Sequence, residues 1–153
     1  MAELFVSRSI EINTPPEKVW LVLTHPDFTK QWIGAFRAVG AIVSAWRYGD
    51  PVLWKGLDGR VLVKGTVTAL EPQKLLRFTV FDIHMKKEPK VLETDGITYA
   101  LTDKDGHTIL SVVQGDFGKV ENGELHYKAT LAVWKKALPM IKQLAEATKQ
   151  AGV

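Results

Sequence analysis

Apolar and polar residues alternate at every second position through much of the first two thirds of the chain. Through the last third the apolar residues return every third or fourth position. The first rhythm is that of a half-buried strand and the second that of an amphipathic helix. Leu4 to Ile12 opens with Val6, Ile10 and Ile12 on one face and Ser7, Ser9 and Glu11 on the other. Asn13-Thr14-Pro15-Pro16-Glu17 then reads as a helix start, with Thr14 or Asn13 as the cap and Glu17 placed as in a capping box. Val19, Trp20 and Leu23 give that helix an apolar stripe, and His25-Pro26 ends it, because the residue before proline is pushed out of the α region. Asp27 to Ile33 follows as a second short helix with Phe28 and Trp32 four apart on one side.

Gly34, Gly40 and Gly49 punctuate the next stretch, within which Val39 to Tyr48 has room for a strand. Pro51 to Gly56 alternates more clearly. Arg60 to Leu70 sets Val61, Val63 and Val67 against Lys64, Thr66 and Thr68, and Glu71 to Lys74 makes a turn. Leu75 to Phe81 carries Leu76, Phe78 and Val80 opposite Arg77 and Thr79; His84 to Lys90 is a charged loop. Gly96 to Thr102 places Ile97, Tyr99 and Leu101 on one face, Asp103 to Gly106 is a hairpin turn, and His107 to Gly115 returns. Successive strands joined by turns, with no helix between them, predict an antiparallel meander rather than parallel βαβ units.

In the last third, Tyr127, Leu131, Trp134, Leu138, Ile141 and Ala145 form a helical stripe, and Lys128, Lys135, Lys142 and Lys149 recur on the other side. Pro139 should kink this helix or start a second segment. A helix of about 25 residues is roughly 38 Å long, against a radius of gyration near 15 Å for a domain of this size. It must therefore cross the whole sheet with its stripe inward. The fold class predicted is α+β: a curved antiparallel sheet around a long C-terminal helix, in a single domain spanning 1–153.

With 153 residues, 46% of them hydrophobic and 24% charged, the chain can bury a full core without staples. It has no cysteine, which excludes disulfides, thiolate metal sites and a cysteine nucleophile. The first residues show no basic start followed by an apolar run, and no stretch approaches the ~20 apolar residues of a spanning helix. A cytoplasmic location and no stable membrane insertion are expected. The net charge of +3 is concentrated near the C-terminus but comes with no nucleic-acid motif, so a solvated helix face is expected and no nucleic-acid partner. His25, His84, His107 and His126 are dispersed, and no phosphate-loop, dinucleotide, zinc-helix or nucleophile-elbow pattern occurs. No catalytic residue, metal or cofactor is expected.

Ile10 to Trp20, then His25-Pro26 and Trp32, resemble the opening of the activator of Hsp90 ATPase homologue 1-like family, within the START/Bet v 1-like (SRPBCC) superfamily. Gly65 to Pro72, the strand after it, and Trp134-Lys135-Lys136-Ala137-Leu138 continue the similarity, which spans nearly the whole chain. The resemblance implies the helix-grip fold with a deep apolar cavity between sheet and helix. It also implies one of several roles: binding of lipids, polyketides or other hydrophobic molecules, cyclase-type catalysis, or partnership with a chaperone ATPase. The separate N-terminal domain that eukaryotic co-chaperones add has no counterpart in 153 residues.

An abundance of large aromatic residues suits either a core or an apolar pocket that fixes its ligand with a few polar groups. Trp32, Trp54, Phe78, Tyr99, Trp134 and Leu138 are the candidate lining. Gln114 shares a face with Leu110 and Val112, so an inward register puts an amide in apolar surroundings, where the protein, water or a ligand must satisfy it. Asp82, Glu93, Asp95 and Asp116 are the carboxylates an enzyme would have to draw on, at turn or strand-end positions that favour surface roles. The leading expectation is a protein that binds a hydrophobic or aromatic small molecule, with an enzyme of cyclase or hydrolase type as the alternative.

Overall fold

The structure, a computed structural model, describes residues 4–36, 39–82, 96–119 and 122–151. The chain runs β1 (Val6–Ile12), α1 (Pro16–Thr24), α2 (Pro26–Trp32), β2 (Val39–Val43), β3 (Pro51–Gly56), β4 (Val61–Glu71), β5 (Leu75–Phe78), β6 (Phe81–Asp82), β7 (Gly96–Lys104), β8 (His107–Gly115) and α3 (Gly123–Ala151). The main sheet has the order β1-β8-β7-β5-β4-β3-β2, all antiparallel, and β6 pairs with β4 beside this path. The meander read from the sequence therefore forms, and β1 closes it by returning along β8. The predicted loop from His84 to Lys90 lies outside the described residues.

Register explains why one face is buried. Leu110 pairs with Ile10 and Leu101, Val112 with Tyr99, Gln114 with Val6 and Ile97, and Tyr99 with Leu76. Paired residues point to the same side of a pleated sheet, so these alternating apolar positions stack into one concave surface. Val6, Ile12, Leu76, Phe78, Ile97, Tyr99, Leu110 and Val112 are all buried.

The curl has a local cause. The β4–β5 register shifts between Val67 and Ala69. Beyond the shift, Thr79 bonds to Thr66 twice: its backbone N–H donates to the Thr66 carbonyl (3.0 Å), and its hydroxyl oxygen accepts from the Thr66 N–H (2.9 Å). This crossing brings the Thr79 carbonyl so close to Gly65 that a Cβ there would overlap it. Glycine is required here by the approach of a second backbone.

The short helices sit as predicted, but the cap differs. Pro15 occupies the N-cap of α1 without a side-chain bond, and Thr14, expected as the cap, is fully buried with its hydroxyl unpaired. Pro15 has an extended backbone (φ −64°, ψ 157°), and the Thr14 N–H instead donates to the Ile12 carbonyl (2.8 Å). Pro16 is pre-set for the first helical position, and the helix starts there, one residue after the capping-box geometry would place it. At α2 the cap is His25, whose Nδ1 accepts from the Asp27 N–H (3.1 Å).

The helix α3 is one continuous segment through Pro139, not two. The proline lies on the exposed side, as does Lys135, whose carbonyl loses its intrahelical donor to the proline ring. The inward stripe holds: Trp134, Leu138, Ile141 and Ala145 are buried, and Tyr127 and Leu131 are half-buried. The backbone of α3 approaches β1 and α1 most closely. Across the middle of the sheet, large side chains span the space between them.

Candidate functional site

The interior beneath α3 is built from rings in mutual contact. Trp134, from the middle of α3, meets Phe36 (centroids 5.0 Å apart), Tyr99 (6.0 Å) and Trp32 (6.2 Å). Phe36 in turn meets Trp54 at 4.9 Å, and Tyr99 meets Phe78 at 5.9 Å. Phe78 carries the chain on to Trp46 at 5.5 Å. Most of these pairs cross steeply, at 64° to 82°, the edge-to-face arrangement that the ring quadrupole favours.

Each sequence-predicted lining residue lies in this interior. Trp32, Trp54, Phe78, Tyr99, Trp134 and Leu138 are buried in the one core, and Gln114 is half-buried beside them. Trp32 is tied to the fold, since its indole Nε1 donates to the Val22 carbonyl at 2.9 Å. The Gln114 amide has a protein partner: its Oε1 accepts from the Trp134 Nε1 at 2.8 Å. This bond joins the end of β8 to the middle of α3 and fixes the ring on which the other aromatic contacts converge.

Sequence reasoning assigned no site role to Phe36 or Trp46. Phe36 follows a short 3-10 turn (Ile33–Ala35), in a stretch that glycines made hard to read, and it sits between Trp54 and Trp134. Trp46 has φ 55°, uncommon for a bulky residue and costing about 1–3 kcal/mol. Its indole Nε1 donates to the Thr24 carbonyl (2.9 Å) and its ring packs on Phe78, contacts that hold it there.

The polar inventory of this interior is short. Among the described residues the buried polar side chains are Thr14, Thr29, Thr79 and Thr108, and no charged side chain is buried. The Tyr99 hydroxyl and the Trp54 Nε1 are buried without a hydrogen-bond partner. Burial holds the Tyr99 phenol protonated far beyond the ordinary tyrosine range, because the anion would be stripped of water. Both groups are therefore neutral and carried by rings that pack on other aromatic rings.

Of the carboxylates considered for catalysis, Asp116 is committed to the backbone: its Oδ1 accepts from the Leu4 N–H and the Gly118 N–H, each at 2.8 Å. Glu93 and Asp95 lie outside the described residues, as does the side chain of Asp82. Among the described residues no group of histidine and carboxylate side chains is arranged to hold a metal, and no helix is long and apolar enough to cross a membrane. An open depression of about 460 Å³ lies away from the rings, at the start of α3, lined by Asn122, Gly123, Glu124, Leu125 and Lys128.

Comparison with known proteins bears on this architecture. A protein of Mesorhizobium loti is 23% identical, with 93% of this chain and 98% of that one covered and a TM-score of 0.71. A protein of Nitrosomonas europaea is 18% identical over 98% and 99% of the two chains, with a TM-score of 0.72. The Aha1 dimer from Colwellia psychrerythraea, solved in solution, is 20% identical over 94% and 96%, with a TM-score of 0.69. At these identities the likeness shows a shared fold, the sheet gripping a C-terminal helix. No curated protein sequence matches the chain. The family model described as "Activator of Hsp90 ATPase homolog 1-like protein" matches residues 13–146, from the turn before α1 to the last turns of α3. The chain belongs to the activator of Hsp90 ATPase homologue 1-like family.

Proposed function

We propose that the protein binds a hydrophobic or aromatic small molecule between the concave face of the sheet and α3. The observation that carries this reading is the aromatic interior: the buried rings of Trp54, Trp134, Tyr99 and Phe78 and the half-buried Phe36 meet in one chain of contacts. Well-packed cores use Trp and Tyr where the N–H or O–H reaches a partner, and the Trp54 Nε1 and the Tyr99 hydroxyl have none. A flat molecule would have to part these edge-to-face rings to enter between the sheet and α3. The driving force would be apolar burial, about 25 cal/mol per Å².

The fold supplies a rigid frame for such a site. Backbone ladders fix the positions of Tyr99, Phe78 and Trp54 on the sheet. The Gln114–Trp134 bond fixes the opposite wall. Thermal unfolding against a panel of lipids, aromatic ketones and polycyclic hydrocarbons, with native mass spectrometry of the same mixtures, tests the reading. Stabilisation by at least one compound class, with a one-to-one complex in the mass spectrum, is expected. No stabilisation and no complex across the panel would overturn it.

A further inference from the structure

The unpaired polar atoms of the interior say what kind of molecule fits it. The Trp54 Nε1 can only donate a hydrogen bond, and the Tyr99 hydroxyl is a donor with its proton held in place. Both side chains are almost wholly buried, at 4% and 1% exposure, so water at the surface does not satisfy them. The other interior indoles are already spent: Trp32 on Val22, Trp134 on Gln114 and Trp46 on Thr24. Natural interiors rarely leave buried donors without an acceptor, so each one left needs an explanation, and two such donors on rings of one aromatic chain are open to a ligand.

Resting on the binding reading above, we infer that the ligand is an uncharged, largely apolar molecule whose carbonyl-type oxygen accepts a hydrogen bond from Tyr99, Trp54 or both. Ketones, quinones, lactones and esters have this chemistry. A carboxylate or sulfonate does not suit it. Among the described residues no Lys, Arg or His is buried to balance an anion, and neutral donors alone leave much of its lost hydration unreplaced. A pure hydrocarbon enters but leaves the donors unmet. A ligand that is chiefly a donor could meet only the Tyr99 oxygen, because the Trp54 Nε1 offers no lone pair.

The test uses three probes that share one tricyclic ring system, 9-fluorenone, fluorene and fluorene-9-carboxylate, titrated into the full chain and followed by tryptophan fluorescence. Fluorenone should bind about five- to tenfold more tightly than fluorene, the span of one hydrogen bond gained in a buried site. The carboxylate should bind more weakly than either. Tyr99→Phe keeps the ring and should bring fluorenone down toward fluorene while leaving fluorene unchanged. Trp54→Phe makes the same comparison at the second donor, so a folding defect in one variant does not decide the outcome. Equal binding of fluorenone and fluorene, unaltered by either variant, would overturn the inference and leave hydrophobic binding standing. Preference for the carboxylate would overturn it as well. Failure of all three probes, and of the wider panel, would remove the binding reading and this inference together.

Discussion

Replacing Trp134 by alanine removes the ring on which Phe36, Tyr99 and Trp32 converge, together with the bond to Gln114. Each aromatic pair contributes about 0.5–1.5 kcal/mol beyond its buried area. Truncating a fully buried aromatic side chain costs about 3–5 kcal/mol once the cavity is included. Trp134 is fully buried, so the upper part of that range applies. For a domain of this size each kcal/mol moves the melting temperature by about 2–4 °C, so a fall of about 8–20 °C is expected. Thermal unfolding followed by far-ultraviolet circular dichroism reads it directly. Trp134→Phe, which keeps a ring but loses the Nε1 donor, should lose about 1–2 kcal/mol less than the alanine variant loses. A shift below about 3 °C for Trp134→Ala would mean that α3 does not rest on this ring, and the description of the interior would fail.

Gly65→Ala should destabilise by about 3 kcal/mol in urea unfolding, because the added Cβ would overlap the Thr79 carbonyl rather than a movable side chain; a loss under 0.5 kcal/mol, on the same scale, would contradict the crossing described. Thr14→Val replaces a buried, unpaired hydroxyl by a methyl group and should leave stability unchanged or raise it. Thr108→Val instead removes the 2.7 Å bond to the Thr14 carbonyl and should cost about 1–2 kcal/mol; equal effects of the two variants in denaturant unfolding would refute the distinction. Because the folded state holds the Tyr99 proton more tightly than the unfolded chain does, the folded state binds more protons above about pH 10, and stability should fall as pH rises past it. Absorbance at 295 nm should show the Tyr99 phenolate only as the protein unfolds, and Tyr99→Phe should lessen the alkaline loss; ionisation of Tyr99 in the native state would contradict its burial.

The sheet and the long helix were legible because their periods differ and each has one buried face. Tyr99, Leu110 and Val112 alternate cleanly, and the register of β7 with β8 follows once the Asp103–Gly106 turn is recognised. Alternation puts Gln114 on one face with Leu110 and Val112 without saying which face is inward, and it gives no sign of the bond to Trp134, which joins residues from different elements. Thr14 reads as a cap because serine, threonine, asparagine and aspartate usually are; the two prolines after it displaced the cap to Pro15. Pro139 reads as a break because sequence alone does not show which side of the helix faces solvent with enough certainty to place its lost hydrogen bond. Phe36 and Trp46 escaped assignment for a different reason. They sit on irregular segments, where no period says which way a side chain points, and contacts from distant elements hold them. The unpaired state of Tyr99 and Trp54 is likewise a property of the assembled interior.

A ligand of this kind must reach the rings beneath α3, and the indole N–H signals of Trp32, Trp46, Trp54 and Trp134 report on that space residue by residue. In a ¹H–¹⁵N spectrum of the full chain titrated with 9-fluorenone, the Trp54 indole proton should move downfield as it gains an acceptor. The Trp134 signal should move through ring-current change while its bond to Gln114 persists. Saturable binding that leaves both signals in place would put the ligand elsewhere on the protein and contradict the account.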